Sequence, residues 1–331
     1  MEKRTFGRTG LKFGVLGFGC GAVGGIMVRG SASDQERTVA RALEAGVNYF
    51  DTAVQYGDGV SETNLGRVLK ILKPTEAYVG TKVRVPPDAF GRIGAAIATS
   101  MDDSLKRLSM PQVDIFHLHN PITVSGGGES MSVRQVLDEV VPAFEKLRQQ
   151  GKTRFLGFTG VGDTEALHQI VDSRHFDSIQ SVYNMLNPTA VASAPKGFAG
   201  QDYKQLFART QAAGVGVVGI RVLAGGALSG SAERHPIASP PPAPIGSAPS
   251  YEADIALARR LMPLVQEGHG GSLTEAATRF AISHPAMGTI LVGMAQPSEF
   301  DGALAAVRKG PLSPQALARL AELQNSFAGA A

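Results

Sequence analysis

Short runs rich in Val, Ile, Phe and Tyr alternate with amphipathic stretches along most of the chain. The runs at 14–18, 47–51, 78–83, 113–119, 153–158, 178–183, 215–222 and 289–292 predict eight strands. Between them, helical spacing predicts helices at 34–45, 61–72, 93–108, 133–150 and 255–267. The first has Ser33 or Asp34 as N-cap and Gly46 closing it. Within 133–150, Val136, Val140, Val141, Phe144 and Leu147 fall on one face. The strands are too continuously apolar for a sheet with one wet face, so the pattern predicts a parallel sheet covered by helices. Eight strand–helix units fit an α/β chain closed into a (β/α)8 barrel, a single domain over 1–331.

Two turn-rich segments interrupt the rhythm. One lies near 120–132 and contains Ser125-Gly126-Gly127-Gly128; the other, near 224–252, contains Pro240-Pro241-Pro242. In a barrel both fall at the carboxyl ends of the strands, where substrate loops belong, although a tolerated surface insertion is the competing reading. The tail 310–331 is expected to share in substrate choice.

Composition narrows the class. The chain has 331 residues, 43% hydrophobic and 18% charged, with 32 Lys+Arg against 29 Asp+Glu and a net charge of +3. That is ordinary for a globular enzyme, and without a basic block no nucleic-acid partner is expected. The one cysteine, Cys20, rules out an internal disulfide and fits a reducing compartment. Met1-Glu2-Lys3-Arg4 does not lead into an apolar signal core, and no stretch nears the ~20 apolar residues of a membrane span. The expectation is a cytoplasmic protein with no membrane partner; oligomeric state is left open.

Four polar residues fall at or just beyond strand ends: Asp51, Tyr56, Lys82 and His119. Singly, each has a plain structural reading, as a strand end, a turn, a surface lysine or a core histidine. Jointly they supply a proton carrier, a charge beside it, a counter-ion and a carbonyl orienter. Hydride delivery to a carbonyl leaves an alkoxide that needs a proton or strong hydrogen-bond donors. The expectation is that Lys82, held by Asp51, lowers the Tyr56 phenol from its ordinary value of about 10.

On these residues the chain resembles the aldo-keto reductase family. Phe50-Asp51-Thr52-Ala53-Val54-Gln55-Tyr56-Gly57, with Ser61-Glu62 and Leu65-Gly66, is similar to the family signature. Val79-Gly80-Thr81-Lys82-Val83 resembles its lysine strand, and Val113 to Pro121 its histidine strand, with His119 at the catalytic position and His117 packing within the barrel. The resemblance runs from Gly10 to about Val307 with the motifs in family order. It implies an NAD(P)(H)-dependent oxidoreductase with catalytic Asp51, Tyr56, Lys82 and His119 and no metal. A small carbonyl or sugar is the implied substrate, and the branch that oxidises aldoses and galactose is the nearest in pattern.

The resemblance also implies cofactor contacts: Gly21, Asp51, Thr159, Gln180, Ile220, Arg221, Leu223, Gly293, Met294, Ala295, Gln296 and Glu299. Thr159 keeps a hydroxyl where the family has a Ser-Asn pair for the carboxamide, and Gln180 matches the carboxamide-binding glutamine. Ile220 replaces a stacking aromatic, forgoing about 1 kcal/mol. Arg221 either reaches the pyrophosphate or pairs with a neighbouring acid. Ala295 and Glu299 stand where members that grip a 2′-phosphate carry basic residues, which leans the expectation towards NAD.

Two rival readings compete with this one. Gly19-Cys20-Gly21-Ala22-Val23-Gly24 matches a G-x-G-x-x-G fingerprint, yet helical periodicity starts only near Asp34, too late for a pyrophosphate to meet a helix N-terminus. The other rival is a non-catalytic or barely catalytic cofactor-sensing partner subunit of the same fold.

Overall fold

A computed structural model describes residues 1–327. Eight parallel strands close into a barrel: β1 (Leu16–Gly19), β2 (Tyr49–Asp51), β3 (Tyr78–Val83), β4 (Val113–Leu118), β5 (Thr153–Gly160), β6 (Ser178–Val182), β7 (Gly216–Ile220) and β8 (Met287–Gly293). Each pairs with its sequence neighbour, and β8 pairs with β1, Ile290 opposite Leu16. The strands are buried nearly throughout, which is why they read as unbroken apolar runs.

Helices α1 (Ala32–Glu44), α2 (Val60–Leu72), α3 (Ile93–Leu108), α4 (133–149), α5 (Thr164–Asp172), α6 (Leu206–Ala213), α7 (Tyr251–Arg259), α8 (Leu273–Ala281) and α9 (Pro297–Arg308) form the outer layer, and α10 (Pro314–Asn325) follows. No helix among the described residues is long and apolar enough to cross a membrane. An antiparallel hairpin, Lys3–Thr5 with Lys12–Gly14, closes the amino-terminal end of the barrel. Its Phe6, Leu11 and Phe13 cluster with Tyr49, Ile115 and Val218 beneath the site.

Three helical expectations need correction. The cap of α1 is Ser31, whose side chain accepts from the Asp34 amide, two residues before the expected start. The stretch 133–150 is not one regular helix. A π turn spans Val136–Val140, with the Val141 amide donating to Val136 O, just ahead of Pro142, which has no N–H to give. The expected 255–267 helix is two pieces, α7 and a turn at Pro263–Gln266, because a proline cannot continue the hydrogen-bond ladder. A single turn, Ile26–Arg29, also precedes α1, after the glycine-rich segment and not within it.

Candidate active site

The four expected catalytic side chains meet at the carboxyl-terminal mouth of the barrel. Asp51 ends β2, Lys82 lies one residue from the end of β3, and His119 follows β4, its amide donating to Val83 O across the β3–β4 seam. Tyr56 stands on the loop after β2, where Gly57 and Gly59 take φ of 69° and 85° and let the chain turn back into α2. Ser61 fixes that loop. Its hydroxyl lies 2.8 Å from Thr52 Oγ1 and donates to Cys20 O at 2.9 Å, tying the start of α2 to the end of β1. The next residue, Glu62, is fully buried and accepts from Thr81 Oγ1 at 2.5 Å and Arg107 Nε at 2.6 Å, anchoring β3 beside Lys82.

Lys82 is the hub. Its ammonium donates to Asp51 Oδ1 at 2.5 Å, to Thr52 O at 2.8 Å and to Tyr56 Oη at 3.1 Å. Because the phenol oxygen accepts from lysine, its own proton is free to point elsewhere. The second carboxylate oxygen of Asp51 accepts from Gln180 Nε2 at 2.5 Å and from Tyr49 Oη at 3.2 Å. Asp51 is thus held by three donors, as a deeply buried charge requires.

Burial pushes the Asp51 carboxyl up, opposed by Lys82, Tyr49 and Gln180. Burial alone would lower Lys82, but Asp51 and Tyr56 more than offset it and hold the amine charged. The expected lowering of Tyr56 is not found. Burial raises the phenol above its ordinary 10.0, and the pull of Lys82 is countered by Asp51, whose charge cancels much of the lysine's field. Tyr56 therefore stays protonated and is set up as an acid. His119, pushed down to about 3 by burial and by the charges of Lys82 and Arg84, is neutral. Its Nδ1 lies 3.1 Å from the side-chain amide of Gln55, which holds the ring in place. His117 is a core histidine bonded to Ser178 Oγ at 3.1 Å, as expected.

Asp51, Tyr56 and His119 line one cavity of about 610 Å³. Ten of the twelve expected cofactor residues line it: Gly21, Asp51, Thr159, Gln180, Ile220, Arg221, Leu223, Gly293, Ala295 and Glu299. Met294 and Gln296 do not. The Met294 side chain is buried and its carbonyl accepts from the Ile26 amide, while Gln296 faces outward as the residue before α9. Thr159 and Gln180 are register partners on β5 and β6, and the buried Thr159 hydroxyl has no hydrogen-bond partner. Arg221, at φ 56°, forms no ion pair among the described residues. The one hydrogen bond of its guanidinium among these residues runs to Ala243 O at 3.3 Å, so the pairing with an acid is not realised. Asp254 is instead held by Ser247 and Ala248.

The loops divide unevenly. The segment after β7 contributes Gly225, Gly226, Ser229, Glu233, Arg234 and His235 among others, whereas the segment 120–132 contributes only Pro121. Arg234 pins the former across the mouth, donating to Gly225 O, Ser239 O and Tyr251 Oη and reaching Val23 O at 3.4 Å. Of the tail, residues 310–327 do not line the cavity; α10 is tied elsewhere by Gln324 Nε2 to Met185 O, and 328–331 lie outside the described residues. Tyr49, Gln55, Arg84 and Arg234 went unrecognised in the sequence. The only signal was for Tyr49 and Arg84, each two residues from a catalytic group and so on the same strand parity.

The sequence model of the aldo/keto reductase family matches residues 15–325. L-galactose dehydrogenase of Arabidopsis thaliana is 30% identical over 311 residues, covering 93% of this chain and 88% of that protein. An aldo-keto reductase of Bacillus halodurans in its holo form superposes with a TM-score of 0.71 at 25% identity, covering 100% of this chain and 97% of that one. One from Klebsiella pneumoniae, in complex with NADP and acetate, shares the fold with a TM-score of 0.68 at 20% identity, over 98% and 95% of the two chains. With a family match over most of its length and a barrel of the same architecture, the chain belongs to the aldo/keto reductase family of oxidoreductases.

Proposed function

We propose that this chain moves hydride between a nicotinamide dinucleotide and a carbonyl or alcohol carbon, with Tyr56 carrying the proton. The observation behind this reading is one ammonium, Lys82 Nζ, touching both Asp51 Oδ1 and Tyr56 Oη at a cavity floor.

The residues present fit the dinucleotide. Thr159 Oγ1 is an unpartnered buried hydroxyl beside the Gln180 amide, suited to a carboxamide. Arg221 is a half-buried cation without a counter-ion, suited to the pyrophosphate. Gly21, Ile220, Leu223 and Gly293 supply close backbone and an apolar face, and Ala295 and Glu299 the far end. The dinucleotide, when bound, supplies or accepts the hydride. Tyr56 then hands its proton to the developing alkoxide, Lys82 stabilises the phenolate left behind, and Asp51 keeps Lys82 charged and placed. His119, neutral, orients the carbonyl.

The lean towards NAD has only Ala295 and Glu299 behind it. Glu299 Oε2 accepts from the Ala295 amide at 2.7 Å and is thus engaged with its own loop, and the Klebsiella relative holds NADP. The pair NAD(P)(H) is therefore put to measurement. A sugar or aldehyde remains the favoured substrate, in keeping with the L-galactose dehydrogenase relative. No observation favours the non-catalytic partner subunit. The test is a panel of sugars and aldehydes with both cofactors, followed by nicotinamide absorbance. Turnover of at least one carbonyl or sugar is expected, and none across the panel would defeat the reading.

A further inference from the structure

We infer that Arg84 is a specificity residue of this cavity and that the preferred substrate carries an anionic group, a carboxylate or a phosphate, a few atoms from its reacting carbon. The inference rests on the hydride-transfer reading of the site and concerns a residue that reading does not use.

Arg84 follows β3 directly, two residues beyond Lys82, and lines the cavity with His119 and Pro121. Its backbone is fixed. The next residue, Val85, is clamped on both sides by Asn120, which accepts from the Val85 amide at 2.9 Å and donates to Val85 O at 2.8 Å. The same Asn120 Nδ2 donates to Glu129 O at 3.0 Å. Position 84 is therefore held rigidly beside the histidine that would face a carbonyl.

The guanidinium itself is under-used. Its one ionic partner, Glu129, lies 3.6 Å away with no hydrogen bond, and the two side chains are 40% and 67% exposed. A pair this loose and wet holds little energy, so an incoming anion can displace it. The other charged groups on the wall are committed or remote. Asp51 is tied to Lys82, Tyr49 and Gln180; Glu299 accepts from Ala295; Arg234 is held by its loop; Glu233 is exposed. Arg221 stands across the cavity, at the end of β7, where the dinucleotide contacts converge. Among the described residues that leaves Arg84 as the loosely held cation on the β3–β4 side, lining the cavity with His119. Its planar fork matches a carboxylate or a phosphate and has no use for a neutral alkyl tail.

The test compares matched substrates: 4-oxobutanoate against butanal for a carboxylate, and glyceraldehyde 3-phosphate against glyceraldehyde for a phosphate. The reading is the anionic-to-neutral ratio of kcat/KM. In the wild type at least one ratio is expected to exceed about ten, and Arg84→Gln to cut it about tenfold or more. Glu129→Gln, which frees the guanidinium, is expected to raise it. Raising salt from about 0.05 to about 0.5 M should shrink the wild-type ratio and leave that of Arg84→Gln nearly flat. Calorimetric binding of succinate to the wild type and to Arg84→Gln gives a readout independent of turnover. Ratios near one, or equal in wild type and Arg84→Gln, with succinate binding indifferent to Arg84, would overturn the inference. Failure of every aldehyde to react would instead strike the hydride-transfer reading, while the succinate measurement still judges Arg84.

Discussion

Lys82 and Asp51 form a pair whose side chains are 0% and 3% exposed, so each depends on the other for its charge. Replacing Lys82 with Met leaves a buried carboxylate with only Tyr49 and Gln180 as side-chain donors. The expected loss is about 3–5 kcal/mol in urea unfolding, well beyond a surface ion pair; a loss under about 1 kcal/mol would mean the carboxylate finds water or a proton at little cost. The direction found for Tyr56 fixes a pH profile. In the proposed reaction its protonated form is the donor for reduction, and burial lifts the phenol above 10.0. Carbonyl reduction should therefore run level through neutrality and decline only above about pH 10, while alcohol oxidation, which needs the phenolate, should climb over the same alkaline range. A reduction limb falling near pH 7 would contradict this order of effects.

At the scale of elements, the barrel was plain in the sequence because its strands are buried and its helices lie on their outside. The strand Tyr78–Val83 and the helix Ile93–Leu108 coincide with their expected bounds. Periodicity did not register the proline effects at Pro142 and Pro263, since neither residue disturbs the apolar spacing it interrupts. The four proposed catalytic residues were legible because strand ends of a closed barrel must converge. The cofactor loop was legible only in part: Met294 and Ala295 are adjacent, and which one faces the cavity depends on the loop after β1 pressing against it. Gly24 makes that approach possible, for a Cβ there would sit 2.2 Å from the Met294 amide nitrogen. Gly24→Ala should cost about 1–3 kcal/mol in stability and weaken dinucleotide binding, read by denaturation and by fluorescence titration. Unchanged stability would show that the two loops move apart freely.

For the whole molecule, the hairpin closes one end of the barrel and leaves the other to chemistry. The loop after β7 crosses that open end, joined to the first loop through Ser239 N to Val23 O, Arg234 and Arg29, whose guanidinium donates to Ile237 O and Ala22 O. This arrangement roofs one cavity over the Lys82 hub, and nothing in the composition of the two long loops marks which of them does so. A single-turnover comparison of wild type with Tyr56→Phe, at saturating dinucleotide and with a carbonyl substrate that the wild type reduces, probes the site most directly. Proton transfer from Tyr56 predicts that the variant binds the dinucleotide with near-native affinity yet reduces the carbonyl about 10²–10⁴-fold more slowly. Equal rates in the two proteins would contradict it.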